Sequence, residues 1–209
     1  MKKYLLIFLL FSSSIFAQDY IEPDTGELIS RLNDEPYQLG LLVEIKFLNT
    51  ESGEEIYYTG NASRGNGVFW INKNGNRIDI IETYIHYEPM VRWYGLYTVE
   101  IFIPTGSPFR HSYFYNFRNN KLSQRIDFPV YYDINNDYVI AMVNNGLDLY
   151  DLKKNQKIRE YRCEEDFDVL YMLVFGEYNI RIINNKLFFD FDIDTRNVNI
   201  IGNYIFEIN

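Results

Sequence analysis

The fold class follows from residues 139–161, which are VIAMVNNGLDLYDLKKNQKIREY. Three apolar or alternating runs are separated here by two groups of turn residues, Asn144-Asn145-Gly146 and Lys153-Lys154-Asn155-Gln156. Short runs rich in β-branched and aromatic residues, bounded by Asn and Gly, are typical of antiparallel strands joined by tight turns. The segment therefore predicts three consecutive strands of an up-and-down meander.

The same hairpin pattern recurs along the chain. Asn74-Gly75 is the strongest of its turn signals, because both residues tolerate the positive φ that a two-residue hairpin turn requires. The predicted strand pairs are residues 42–48 with 55–59, 68–71 with 77–81, 113–117 with 122–128, 147–152 with 157–161, and 187–193 with 198–201. We therefore predict an all-β protein of antiparallel hairpins and meanders that form a sandwich or barrel-like domain.

Two of the turn regions look like copies of each other. Residues 115–120, YNFRNN, align with residues 150–155, YDLKKN, 35 positions later. The surrounding run, residues 113–161, resembles one blade of a β-propeller, in which a strand of the type apolar-x-Tyr-Asp-Leu precedes a charged turn. The resemblance implies a small or partial β-propeller as the alternative fold. The uneven spacing of the turns favours the sandwich or barrel, because a repeat array keeps its period.

The first residues predict a cleavable export signal. Lys2 and Lys3 precede an apolar run over residues 4–11, and the small residues Ser14 and Ala17 lie just before the expected cleavage at Gln18. The apolar run is too short to cross about 30 Å of hydrocarbon, which takes roughly 20 residues. We expect a signal peptide over residues 1–17 and a single all-β domain over residues 18–209, soluble in the periplasm or outside the cell.

Helical signals are confined to one segment. Residues 23–32, PDTGELISRL, indicate a short helix with Asp24 or Thr25 as its cap. Everything after Gln38 is predicted as strands and turns.

The charge of the chain excludes several partners. The mature chain would carry 18 basic residues, after loss of Lys2 and Lys3, against 29 acidic residues, so its net charge is 18 − 29 = −11. A surface this acidic repels the phosphates of nucleic acids and anionic lipids. We therefore expect no nucleic acid and no membrane insertion, whereas a basic protein, a cationic peptide or a divalent cation would be attracted.

The residue pattern contains no strong catalytic motif. Ser107 and His111 lie too close to turn residues to favour a nucleophile and its base, and no Gly-x-Ser-x-Gly elbow surrounds the serine. Cys163 is the single cysteine, and the acidic residues 164–166 after it disfavour its thiolate. We predict an inert thiol and assign no catalytic residue.

The densest aromatic stretch is the candidate binding site. Residues 84–97, YIHYEPMVRWYGLY, combine Tyr, Trp and Arg, the residue types that dominate binding hot spots. The alternative is packing of the same side chains in the core. The predicted binding residues are Tyr84, His86, Tyr87, Arg92, Trp93 and Tyr94.

Alternating carboxylates form the candidate metal site. Asp190, Asp192 and Asp194 share one face of a predicted strand, while the intervening apolar residues face the core. A Ca²⁺ ion would relieve the repulsion among the three carboxylates. Asp133 and Asp137, with Asn135 between them, present a similar set of oxygens, although a plain turn is the alternative there.

These features favour a binding function over catalysis. We expect an exported binding or inhibitory protein that recognises another protein, with a basic enzyme as the candidate partner. The alternative is a carboxylate-dependent hydrolase that acts on cell-envelope polysaccharide, since pairs of acidic residues perform that chemistry. An outer-membrane barrel is disfavoured, because strands of 9 to 11 residues with a continuous apolar face are missing.

Overall fold

The computed structural model of the protein describes residues 27–31, 42–61, 66–84, 90–104, 109–194 and 199–208. The predicted signal peptide, residues 1–17, lies outside this part of the chain. Among the residues that the structure describes, strands account for 68% and helix for 4%, which confirms the all-β prediction. The described strands form four antiparallel sheets, here named I to IV in chain order, and none of these sheets closes into a barrel.

Sheets I and II comprise the first ten strands. Sheet I contains β1 (Glu27–Arg31), β2 (Leu42–Leu48), β3 (Glu55–Asn61), β4 (Asn66–Lys73) and β5 (Asn76–Tyr84), in that spatial order. Sheet II contains β6 (Met90–Tyr94), β7 (Thr98–Pro104), β8 (Arg110–Asn116), β9 (Lys121–Leu122) and β10 (Ile126–Asp127), with β9 and β10 both pairing with β8.

Sheets III and IV comprise the remaining strands, and the one described helix separates them. Sheet III contains β11 (Pro129–Asp133), β12 (Tyr138–Val143), β13 (Gly146–Asp151) and β14 (Gln156–Arg162). Helix α1 (Val169–Phe175) follows, and sheet IV contains β15 (Gly176–Ile183), β16 (Lys186–Asp194) and β17 (Asn199–Glu207). Sheets I, III and IV are meanders in which each strand pairs with its neighbours in sequence, whereas in sheet II β10 pairs with β8 rather than with β9.

The predicted hairpins are confirmed, and so is their turn chemistry. Strands β2 and β3, β4 and β5, β13 and β14, and β16 and β17 pair as expected, and β8 pairs with both β9 and β10. At the β4–β5 turn, Asn74 and Gly75 have φ of 54° and 79°. The two copied turns end on Asn120 and Asn155 with φ of 54° and 55°, so the repeated sequence forms equivalent turns on neighbouring sheets.

The prediction of a helix over residues 23–32 is wrong for residues 27–31, which are the part of this segment that the structure describes. Residues Glu27–Arg31 form β1, which pairs with β2 and carries a bulge between Leu28 and Ser30. An isolated helix of this length is marginal in water. Pairing with the edge of β2 satisfies the backbone of the segment instead.

Helix α1 was missed, because its sequence VLYMLVF is a continuous apolar run like that of a buried strand. The available signal was Asp168, which caps the helix by accepting the Leu170 N–H at 2.9 Å. Asn144, from the β12–β13 turn, accepts the Val169 N–H at 2.9 Å and holds the start of the helix against sheet III.

Three apolar clusters join the sheets in chain order. The first lies between sheets I and II, the second between II and III, and the third between III and IV. Representative members are Phe47 with Ile101, Phe114 with Tyr132, and Leu149 with Phe189. Sheets II and III therefore pack against a neighbouring sheet on each face, and every residue of β7 from Thr98 to Ile103 is buried. Sheets I and IV each pack on one face and leave the other face toward solvent. Among the described residues, none of the clusters joins sheet I to sheet IV.

Tyr58 carries an unsatisfied hydroxyl in the core between sheets I and II. Its side chain is fully buried, its Oη has no hydrogen-bond partner within the described part of the chain, and burial raises its pKa to about 12. A buried polar group without a partner costs roughly 1–3 kcal/mol. We therefore expect Tyr58→Phe to raise the free energy of unfolding by about 1 kcal/mol, measured by urea denaturation. A loss of stability would show that the hydroxyl has a partner in the folded protein.

Candidate functional site

The predicted aromatic site is partly an internal cluster on sheet II. Strand β6 pairs with β7 so that Arg92 lies opposite Glu100. Arg92 Nη1 lies 3.2 Å from Glu100 Oε2, and Tyr94 Oη donates to the same oxygen at 2.9 Å. Ser112 Oγ donates to Glu100 Oε1 at 2.5 Å. Glu100 is 1% exposed, so a buried carboxylate is held by three donors from two neighbouring strands.

Of the other predicted binding residues, two pack against neighbouring aromatic rings, and the rest have no described side chain. Trp93 packs on the cluster between sheets I and II, 5.6 Å from Phe117 between ring centroids. Tyr94 packs 4.5 Å from Tyr132, and its pKa is raised, first by burial and then by Glu100. His86, Tyr87 and the side chain of Tyr84 lie outside the described residues. Binding by these six residues stays a prediction.

A small cleft lined mostly by polar residues lies where sheets II and III meet. Tyr132 Oη donates to Asp137 Oδ1 at 2.7 Å, and Lys153 Nζ lies 3.4 Å from Asp137 Oδ2. Lys121 Nζ donates to the Lys153 carbonyl at 3.1 Å. The polar groups at the cleft are therefore engaged in hydrogen bonds and an ion pair, and the bond from Lys121 to Lys153 links sheet II to sheet III.

The loop considered for calcium is an ordinary turn between β11 and β12. Asp133 Oδ1 accepts the Asn135 N–H at 2.9 Å, and its Oδ2 accepts from Asn136 Nδ2 at 2.7 Å. Asp137 has φ of 58° and is engaged by Tyr132 and Lys153. The carboxylates thus close the turn with their own oxygens.

Sheet IV carries the predicted carboxylates on its outer face. Phe189, Phe191 and Ile193 are buried in the cluster with sheet III, and the alternate residues Asp190 and Asp192 point away from it, as the strand period predicts. Asp190 Oδ2 lies 2.7 Å from Arg181 Nη2 on β15. The side chain of Asp194 is not described.

Two carboxylates on this face stand opposite each other. The register of β15 and β16 places Glu177 against Asp192, and both are exposed. Within the described part of the chain neither forms an ion pair, whereas elsewhere on the sheet Arg181 pairs with Asp190 and Lys186 with Glu207. Like charges directly opposite on a sheet are destabilising. The pair is therefore a focus of negative charge that a cation from outside would relieve.

Large apolar side chains are exposed on the same face as this charge. Ile201 is 64% exposed and lies opposite Asp192, Ile205 is 58% exposed and lies opposite Phe188, and Ile183 is 47% exposed. These positions share the outer face with Asp190 and Asp192. We call this surface the acidic–apolar face of sheet IV, defined by Glu177, Ile183, Phe188, Asp190, Asp192, Ile201 and Ile205.

The outer face of sheet I is different, because its polar atoms and ring surfaces are used within the sheet. Tyr57 stacks on Trp70 at 4.4 Å, and the Arg77 guanidinium lies 4.7 Å from the Trp70 ring centroid. Trp70 Nε1 donates to Thr59 Oγ1 at 2.7 Å. The hydrogen bond of Tyr57 to Glu55, together with burial, raises the Tyr57 pKa to about 12.

The metal prediction stays untested by the geometry. Across residues 44–60, 67–81 and the other described side chains, no group of three His, Cys, Asp or Glu lies close enough together to hold a metal ion. Asp190 is bonded to Arg181 and Asp192 lies on the next row, but the third predicted ligand, Asp194, is without a described side chain.

Cys163 and His111 fit structural roles. Burial, with a smaller contribution from Glu165, raises the pKa of the Cys163 thiol to about 12, so the thiolate is strongly disfavoured. This agrees with the expected inert thiol. Burial lowers the pKa of His111, whose ring makes an edge contact with Tyr113 at 5.8 Å. Ser107 lies outside the described residues.

Sequence reasoning identified part of the acidic–apolar face and missed the rest. Asp190 and Asp192 were found by their alternation, but Glu177, Ile201 and Ile205 belong to other strands and join them only through the register. The Glu100 cluster was missed for the same reason, since its donors lie 8, 6 and 12 positions away along the chain.

Comparison with known proteins yields no relative. No family model, no curated protein and no solved structure matches the chain. Within the described residues, no helix has the length and apolar character needed to traverse a bilayer.

Proposed function

We propose that this is an exported binding protein that recognises a basic protein partner, such as a basic enzyme, through the acidic–apolar face of sheet IV. The observation that carries the proposal is the unneutralised Glu177–Asp192 pair beside the exposed Ile201. Export is supported by the signal pattern over residues 1–17.

The apolar part of the face supplies the driving force for association. Ile183, Ile201 and Ile205 expose roughly half or more of their side chains. Burying such area contributes about 25 cal/mol per Å², and exposed apolar clusters rimmed by polar residues mark interaction sites. The half-buried Phe188 lies next to Ile205 and adds an aromatic surface.

The charged part of the face supplies specificity. A lysine or arginine of the partner placed between Glu177 and Asp192 would replace a repulsive cross-strand pair by two attractive ones. The chain as a whole has a net charge of −9 and would steer a basic protein toward it at low ionic strength. An acidic partner would be repelled.

The experiment compares binding by matched variants. The purified protein is used as bait in extracts of the host and of neighbouring bacteria, and a captured protein is then purified and its dissociation constant measured. We expect Glu177→Gln/Asp192→Asn to weaken binding by roughly tenfold or more, or about 1.4 kcal/mol, and added salt to weaken the wild-type complex.

The control carries the same change of charge on another sheet. Glu51→Gln/Asp79→Asn removes two exposed carboxylates near sheet I and should bind like the wild type. Equal losses from both double variants would mean that net charge alone drives binding. Unchanged binding by Glu177→Gln/Asp192→Asn would exclude this face as the recognition surface.

A further inference from the structure

Sheet IV has the fewest strands of the four described sheets, and its last strand has an open edge. Sheet III has four strands and sheets I and II have five, whereas sheet IV has three. Strand β17 pairs with β16 on one side, and within the described residues no strand pairs with its other side. The backbone hydrogen bonds found outside the strand ladders do not involve residues 199–206 of β17 either.

The open edge has the properties of a pairing surface. Strand β17 is nine residues long, NIIGNYIFE, and its one charged residue, Glu207, is at its end and lies 3.1 Å from Lys186 Nζ. Proteins usually protect a long edge strand with lysine, proline or a bulge. Here the register with β16 runs without a shift from Asn199 to Glu207, and the exposed positions include Ile201 and Ile205.

The strand is also symmetric about its centre. Asn203 is the fifth of the nine residues, and Ile201 and Ile205 lie two positions to either side of it. We propose that two copies of this chain associate by antiparallel pairing of β17 about a two-fold axis at Asn203, which joins two three-stranded sheets into one of six strands.

This register is self-complementary on both faces of the sheet. On the outer face, Ile201 pairs with the partner's Ile205, and each copy makes the same contact, so that four exposed isoleucines cover one another. On the inner face, Gly202 lies opposite the partner's Tyr204. At the end of the strand, Arg159 Nη1 and Tyr161 Oη already donate to the Glu207 carbonyl at 3.1 and 3.4 Å. The ladder between the two copies therefore spans residues 200–206, which carry no charge, so no like charges face each other across the axis.

The dimer uses Ile201 and Ile205 at the edge of the acidic–apolar face and leaves the charges of that face free. Glu177 and Asp192 lie on β15 and β16, away from the axis, so the six-stranded sheet carries two such pairs on one continuous surface. The association itself rests on the edge of β17 and holds whatever binds the face.

Substitutions at the axis provide the test. Asn203 is exposed, so a charge there leaves the core intact, but in the dimer it would stand against its own copy. We expect the wild-type chain to show twice the mass of a single chain by light scattering on a sizing column. Asn203→Lys and Asn203→Asp alone should each weaken self-association by roughly tenfold or more. A one-to-one mixture of the two variants should recover the dimer.

The matched control lies on the other edge of the same sheet. Asn179 on β15 occupies the same cross-strand row as Asn203, so Asn179→Lys adds the same charge at the edge that the proposal does not use. Wild-type mass should be retained by Asn179→Lys. A monomeric wild type, equal effects of both lysine variants, or no recovery in the mixture would overturn pairing at Asn203. Circular dichroism of each variant confirms that loss of the dimer is not loss of the fold.

Discussion

Arg92→Met is expected to lower the free energy of unfolding by about 3–5 kcal/mol, because it leaves the buried carboxylate of Glu100 without its cation. The side chains of Arg92 and Glu100 are 12% and 2% exposed and lie 3.2 Å apart. Tyr94 and Ser112 still donate to the carboxylate, but neither carries a charge. Urea denaturation followed by circular dichroism measures the loss.

A double variant distinguishes the cost of an unpaired buried charge from the cost of lost side-chain packing. Arg92→Met/Glu100→Met removes both charges, so it should be much more stable than Arg92→Met alone. Arg77→Met is the exposed counterpart, since Arg77 and Asp79 form a salt bridge with side chains 49% and 63% exposed. That substitution should cost about 1 kcal/mol or less. An Arg92→Met protein as stable as Arg77→Met would contradict a buried, paired carboxylate at Glu100.

Phe189→Ala is expected to cost about 3–5 kcal/mol of the free energy of unfolding, because it opens a cavity in the cluster between sheets III and IV. Phe189 is fully buried, and its ring centroid lies 4.9 Å from that of Phe191 and 6.3 Å from that of Phe167. The neighbouring Phe188 points to the outer face. Thermal and urea denaturation of the two alanine variants compares the two faces of one strand.

The comparison also tests the register of β16. Phe188→Ala should cost roughly 1 kcal/mol or less, since its side chain stays in contact with solvent. Phe189→Leu keeps most of the buried volume and should lie between the wild type and Phe189→Ala. If Phe188→Ala were the more damaging change, the strand would be turned over, with Asp190 and Asp192 in the core.

Local patterns predicted the strands well where turn chemistry and alternation agreed. The Asn74-Gly75 turn and the copied turns ending at Asn120 and Asn155 have the positive φ that their residues allow. Alternation in residues 187–193 separated the buried phenylalanines from the outward carboxylates. Those signals depend on a few consecutive residues, so a sequence contains them in full.

The errors came from segments whose local preference is weak. Residues Glu27–Arg31 form a strand because β2 offers an edge, and Val169–Phe175 form a helix because Asp168 and Asn144 satisfy its first N–H groups. In each case the deciding partner lies outside the segment. A short apolar run has nearly equal helix and strand preference until such a partner is present.

The candidate sites likewise combine features that local sequence predicts with contacts that depend on distant residues. Alternation placed Asp190 and Asp192 on one face, but their pairing with Arg181, Glu177 and Ile201 follows from the registers of β15 and β17. The aromatic stretch around Trp93 contained the right residue types for a hot spot. The structure directs Arg92 and Tyr94 to Glu100 and packs Trp93 on Phe117.

An acidic all-β chain of short hairpins could be recognised from the residues alone, because turn residues and two-residue alternation act over neighbouring positions. The burial of each sheet face, the neutralisation of each carboxylate and the open edge of β17 became visible only in the folded chain. The physical reason is that burial and charge pairing depend on distance in space, and strand register brings together residues such as Glu177, Asp192 and Ile201 that are far apart along the chain.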